Sequence, residues 1–203
     1  MRILVVSDTH SQCEKVYKIY KKLVSEAPID MIVHCGDYLK DALEIKARLA
    51  VPVCAVKGNC DGSYEDDFAI LETEAGNFLI THGHMDYVQY DQERLYERVI
   101  ENDCIGAFYG HTHRAAYTSL SDILLMNPGS LTKPRDNSSG TFGLVITEED
   151  SVWGKIYDYK DFMAEDCNNA NDVINSNSND NGNSKPKVRS GKLREMLNYS
   201  DRF

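Results

Sequence analysis

Along the first 160 residues, short apolar runs alternate with amphipathic stretches, and nearly every run ends in a glycine or a polar turn. Arg2-Ile3-Leu4-Val5-Val6 is continuously apolar after its first residue and mostly β-branched, which predicts a strand buried on both faces. Residues 12–26 put Val16, Ile19, Tyr20, Leu23 and Val24 on one face of a helix and Lys15, Lys18, Lys21 and Lys22 toward water, with Pro28 closing it. A strand over 30–35, a helix over 39–49 and a strand over 53–56 complete a β-α-β-α-β run. That order requires parallel strands and right-handed crossovers. The pattern then changes. Segments 68–74 and 77–81 flank Ala75-Gly76, a hairpin signal, and a helix over 91–102 presents Leu95, Val99 and Ile100. Strands follow at 105–109, 115–120, 122–127, 141–147 and 152–159. Parallel units first and hairpins later predict an α/β fold, a four-layer α-β-β-α sandwich.

The periodicity lapses after residue 162, which sets the expected domain at 1–162. Residues 163–184 are rich in Asn and Ser with few apolar anchors, among them Val173 and Ile174, and read as a linker without a core. Residues 185–203 hold six basic and two acidic side chains, with Leu193, Met196 and Leu197 at helical spacing. That composition fits a short amphipathic segment docking on the body or on a partner, a route to a homodimer, and equally a frayed tail.

No run approaches the ~18 apolar residues of a membrane helix, and no basic, apolar leader precedes the first strand, so a cytoplasmic protein is expected. Cys13, Cys35, Cys54, Cys60, Cys104 and Cys167 are dispersed without a C-x-x-C pair and read as reduced thiols. The net charge of -10 speaks against duplex nucleic acid or an anionic membrane as partner. Residues 163–203 are balanced, six acidic against six basic, so the whole surplus lies in residues 1–162. An anionic substrate therefore requires something strongly positive within the site.

Five turns supply it. Asp8-x-His10, Gly36-Asp37, Gly58-Asn59, His82-Gly83-His84 and Gly110-His111-Thr112-His113 each follow an apolar run, and they hold five of the six histidines. The C-terminal edge of strands is where open α/β sheets hold ligands. Carboxylates, an amide oxygen and imidazoles, with no thiolate, suit Mn, Fe, Co, Ni or Zn. Seven donors exceed one tetrahedral site but fit two ions about 3.5–4 Å apart. Two divalent ions against Asp8 and Asp37 leave the centre net positive, so an acidic protein can still take a phosphate.

These five ordered blocks resemble those of the calcineurin-like metallophosphoesterases, and most closely the small bacterial and archaeal phosphodiesterase branch without a cap domain. The resemblance spans residues 1–160 and implies the same sandwich fold. It implies that Asp8, His10 and His113 bind one metal, that Asn59, His82 and His111 bind the other, and that Asp37 bridges them, with Mn as the first choice of ion. A hydroxide held between two metals would attack phosphorus in line. His84 would face substrate or a ligand, and His34 would orient a ligand or pack under the site. Where many members carry Gly-Asn-His, this chain has Gly58-Asn59-Cys60-Asp61. The imidazole that protonates the leaving group is thus absent, Cys60 reads as structural, and Asp61 holds the loop. Esters with good leaving groups are the expected substrates.

Without an inserted cap the site should be open, with Tyr38, Tyr64, Tyr87 and Tyr90 available as rim or wall. Asn127-Pro128-Gly129-Ser130 reads first as turn chemistry, and Arg135 as a secondary phosphate contact. Two rivals remain: a protein-binding scaffold of the retromer-subunit kind, disfavoured because all seven donor positions are filled, and a nuclease, disfavoured by the acidic body.

Overall fold

The computed structural model describes residues 1–62, 67–169 and 188–189. One sheet contains β1 (Arg2–Val6), β2 (Met31–His34) and β3 (Val53–Ala55) in parallel, then β9 (Thr141–Glu148) and β10 (Ser151–Asp158) antiparallel on the β1 side. The two-residue β11 (Val188–Arg189) pairs with the start of β10. The other sheet contains β4 (Phe68–Thr73), β5 (Gly76–Thr81), β6 (Cys104–Phe108), β8 (Ile123–Pro128) and β7 (Ala115–Leu120), in that spatial order. Its centre, β5-β6-β8, is parallel, and its edges are antiparallel.

The alternation of β1 builds two cores at once. Leu4 and Val6 face α1 (Glu14–Glu26) and α2 (Leu39–Arg48), packing with Val16, Ile19, Leu23 and Ile45. Ile3 and Val5 face the second sheet, packing with Phe78, Ile80, Phe108 and Met126. On the far side of that sheet, Leu79, Ala107 and Leu125 receive Leu95 and Val99 of α3 (Glu93–Glu101). Three apolar layers between four layers of structure are the sandwich that the periodicity predicted.

At its C-terminal end the body extends further than expected. The helix α4 (Tyr159–Asn169) crosses the boundary drawn after residue 162. Phe162 is buried against Phe142, and Met163 packs on the same core, so tertiary contact holds this turn where composition suggested a linker. Of the expected linker and tail, 170–187 and 190–203 lie outside the described residues, including Val173, Ile174, Leu193, Met196 and Leu197; so does Tyr64.

Register places the chemistry. Val6 pairs with His34 and His34 with Ala55, so the loops after β1, β2 and β3 leave the sheet at one edge. Ile80 pairs with Phe108 and Phe108 with Met126, which does the same for the loops after β5, β6 and β8. The two edges meet: His82 Nδ1 lies 2.8 Å from the Cys35 carbonyl, and the Gly110 amide donates to the His82 carbonyl at 3.1 Å.

Candidate metal centre

The first loop turns abruptly because its residues take the left-handed backbone. Asp8, His10, Asp37, His111 and His113 all have φ between +46° and +70°, a conformation costly for non-glycine residues and concentrated where function over-determines the chain. Glycines let the loops close on one another. A Cβ on Gly58 would overlap the Asp37 carboxylate, and one on Gly110 would overlap the Ser7 hydroxyl.

Ligand atoms of Asp8, His10, Asp37 and His113 lie within 4.8 Å of one another. His10 Nε2 and His113 Nε2 face each other at 3.4 Å, and His113 Nε2 is 3.2 Å from Asp8 Oδ1. A second set converges beside it. Asn59 Oδ1 lies 3.1 Å from His82 Nε2 and 2.9 Å from His111 Nδ1, and His82 Nε2 lies 3.3 Å from Asp37 Oδ1. Asp37 therefore belongs to both sets. All seven side chains expected at the centre are brought together.

Do these residues fit metal ions? Asp8 is fully buried, and its Oδ1 has no hydrogen-bond partner among the described residues. His113 Nε2 approaches it to 3.2 Å without the alignment of a hydrogen bond. A buried, unsatisfied carboxylate oxygen is expensive without a cation. The imidazoles are oriented for coordination as well. His113 Nδ1 sits 2.7 Å from the Lys133 carbonyl and His82 Nδ1 2.8 Å from the Cys35 carbonyl, so each donates outward and turns a bare Nε2 inward. The donor set fits divalent cations.

Metal-free electrostatics agree with that arrangement. Burial raises Asp8, but the neighbouring His113 and His82 imidazoles and the Ser7 hydroxyl outweigh it and hold the carboxyl below its ordinary value. Asp8 in turn raises His113 against its own burial. Burial lowers His10 and His111, which favours the neutral, metal-binding form.

The remaining expected residues separate by role. His84 stands beside His82 and His111, at 5.4 and 6.2 Å between ring centroids; its Nδ1 has no partner among the described residues, and burial lowers it. Both oxygens of Asp61 accept backbone amides, from Leu39 at 2.8 Å and Gly58 at 2.9 Å, which is the geometry of a loop clasp. Cys60 donates its backbone amide to Asp37 Oδ1 at 3.0 Å. Loss of solvent around its sulfur, then Asp37, push the thiol up to about 11, so it stays neutral at physiological pH. His34, fully buried, lies 2.9 Å from Thr9 Oγ1, which donates to Asp41 Oδ2 at 2.6 Å. It packs under the Asp8–His10 turn. Tyr38 stacks edge-on against His10, whereas Tyr87 and Tyr90 are exposed on the loop after His84.

The end of β8 and the segment after it do more than turn chemistry. Ser130 Oγ donates to the Asp8 carbonyl at 2.8 Å, Thr132 Oγ1 to the Thr9 carbonyl at 3.1 Å, and Asn127 Nδ2 to the Gly110 carbonyl at 2.7 Å. With the Lys133 carbonyl on His113, residues 127–133 hold the Asp8 loop and the His111–His113 loop at once. The only signal in the sequence was a polar turn at a strand end, and its partners lie more than 100 residues away for Asp8.

A model of the calcineurin-like phosphoesterase superfamily domain matches residues 1–150. The chain belongs to that superfamily. The phosphoesterase is 32% identical over 171 residues to a probable metallophosphoesterase, YsnB, of Bacillus subtilis, covering 83% of this chain and 98% of that protein. It is 29% identical to phosphodiesterase MJ0936 of Methanocaldococcus jannaschii, over 64% of this chain and 83% of that one. Among solved structures, a Vps29 mutant from Entamoeba histolytica superimposes with a TM-score of 0.66 at 22% identity, covering 78% of this chain and 92% of the other, a likeness of fold. The superfamily is metal-dependent, and the phosphoesterase carries an Asp/His cluster able to hold a cation.

Proposed function

We propose that this chain is a phosphodiesterase that hydrolyses small phosphodiesters at a centre of two divalent ions. Asp8, His10 and His113 hold one ion, Asn59, His82 and His111 the other, and Asp37 joins them, with manganese the expected metal and Ni, Fe, Co and Zn as alternatives. The observation carrying this reading is the sharing of Asp37 by two converging donor sets, one of which buries an unsatisfied carboxylate oxygen. When bound, two such ions supply positive charge for the phosphoryl oxygens and an ionised, bridging water as nucleophile.

The chain's own residues do the rest. Lys133 and Cys35 carbonyls fix the imidazoles, Asp61 and the Cys60 amide fix Asn59 and Asp37, and His84 offers a hydrogen bond to a phosphoryl or leaving oxygen. With Cys60 in place of a histidine, the site lacks a strong proton donor, and aryl diesters are the favoured substrates. A cytoplasmic setting is proposed with this activity; the five cysteines whose side chains are described are free thiols. No duplex nucleic acid or membrane partner is proposed. A dimer through 185–203 rests on that segment's composition, and light scattering of the chain with and without it tests the idea.

The decisive experiment strips the protein with chelator, restores Mn²⁺ and follows release of nitrophenol from bis(4-nitrophenyl) phosphate. Turnover restored by a divalent ion is expected; none above the enzyme-free control, with any of the five metals, defeats the proposal. The alternative, a protein-binding scaffold on this fold, is compatible with the Vps29 likeness, which is one of fold alone. The complete donor set speaks for catalysis instead.

A further inference from the structure

Beside the candidate metal centre, against the segment 88–92 that leads into α3, lies a cavity of about 410 Å³, and His111 forms part of its wall. His111 thus borders both the cavity and the donor cluster, with its Nδ1 2.9 Å from Asn59 Oδ1. On another wall the Gln92 amide is held from both ends: Nε2 donates to the Tyr109 hydroxyl at 2.6 Å, and Oε1 accepts from Thr118 at 3.2 Å. Having accepted from Gln92, the buried Tyr109 hydroxyl keeps a proton for which the described residues offer no acceptor. Arg114 and Arg135 also line it. Neither guanidinium has an ion-pair or hydrogen-bond partner among the described residues.

The sign of this hollow is the reverse of the chain's. Against 32 acidic and 22 basic residues overall, two arginines and no described acidic side chain line it. Guanidinium forks match phosphate oxygens and are the usual choice for phosphate recognition. The volume lies in the range of small-ligand pockets and excludes a duplex.

We propose that this cavity is the subsite for one ester arm of the substrate, and that the arm carries a second phosphate held by Arg114 and Arg135. The inference rests on the phosphodiesterase reading, since the scissile phosphate must sit at the metal centre for its arm to reach the cavity. A phosphomonoester carries close to two negative charges at neutral pH, which matches two guanidiniums; a carboxylate would leave one unmatched. Gln92 and the Tyr109 hydroxyl then supply neutral donors and acceptors for the rest of the arm.

The test compares two esters cleaved at the same bond by the Mn²⁺-loaded full chain: thymidine 5′-(4-nitrophenyl phosphate) and its 3′-phosphorylated counterpart. A preference of at least about tenfold in kcat/KM for the phosphorylated ester is expected, carried mainly by KM, as for charge-assisted hydrogen bonds. In Arg114→Gln the ratio falls to within about twofold of one, whatever the absolute turnover, so the readout is normalised within each variant. Calorimetry with thymidine 3′,5′-bisphosphate against thymidine 5′-phosphate gives the same contrast without chemistry. If the bisphosphate binds tenfold tighter and neither ester is cleaved, the phosphodiesterase reading fails and the subsite stands. If both esters are cleaved without preference and both nucleotides bind alike, the subsite is overturned and the enzyme stands.

Discussion

The two halves of the candidate metal centre are built differently. The Asp8 half is sunk into the body: Asp8 is fully buried, His113 nearly so, and the loops carrying them are clasped by Ser130, Thr132 and the Lys133 carbonyl. In the Asn59 half, His82 is buried, but Asn59 and Cys60 are exposed, and their loop hangs on Asp61 and one amide bond to Asp37. Charge follows the same division. The first half has a carboxylate of its own and shares Asp37; the second offers only neutral donors besides that shared oxygen. A buried, charged pocket with fixed ligands binds a cation tightly. An exposed, neutral one binds it weakly and leaves coordination room for substrate.

The largest expected effect removes what the halves share. Asp37→Asn should lose both ions and about three orders of magnitude in kcat/KM, roughly 4 kcal/mol of transition-state stabilisation. Metal analysis of the purified variant checks the first part; retention of both ions would show that Asp37 joins nothing.

Next comes the asymmetry itself. Titrating chelator-treated protein with Mn²⁺ should give two classes of site, the first at least about tenfold tighter. A single class of two equal sites would show the two halves to be equivalent. Paired variants then assign the classes. Ser130→Ala should weaken the tight site and Asp61→Asn the weak one, each by about 10- to 100-fold, and a variant acting on the opposite class breaks the assignment.

The smallest effect concerns a carboxylate that supports the first half from outside. Loss of solvent raises Asp136, but hydrogen bonds from the Ala115 amide and from Ser138 outweigh this and hold it below its ordinary value. A depressed carboxyl contributes stability that is complete above the unfolded value near 4 and vanishes as pH falls through the lower folded value. Because Asp136 is partly exposed, solvent screening limits the contribution to about 0.5–1 kcal/mol. Urea midpoints of metal-free protein at pH 7 and pH 3 should therefore converge slightly in Asp136→Asn. An unchanged difference would separate Asp136 from the stability of this edge.

Much of this was written in local order along the chain. The alternation of β1, the amphipathic faces of α1 and α3, and the Ala75-Gly76 turn specify strands and helices through short-range periodicity, and their ends fall within a few residues of the predicted ones. The seven donors were legible because each follows an apolar run, and strand ends are where an α/β sheet gathers its loops. The helix through 159–169 was not legible, since its hold on Phe142 depends on a strand closer in space than in sequence. Nor was the work of residues 127–133: a serine that donates to Asp8 across more than 120 positions has no local signature.

Composition and spacing alone determined that this protein would be an α/β sandwich with oxygen and nitrogen donors at strand ends, because hydrophobic period and turn chemistry are properties of neighbouring residues. Tertiary structure alone decided which donors stand together, which half is buried, and that two unpaired arginines border a cavity beside His111. Those are facts about distance and dielectric, and both arise only when separate segments of chain exclude water from the same place.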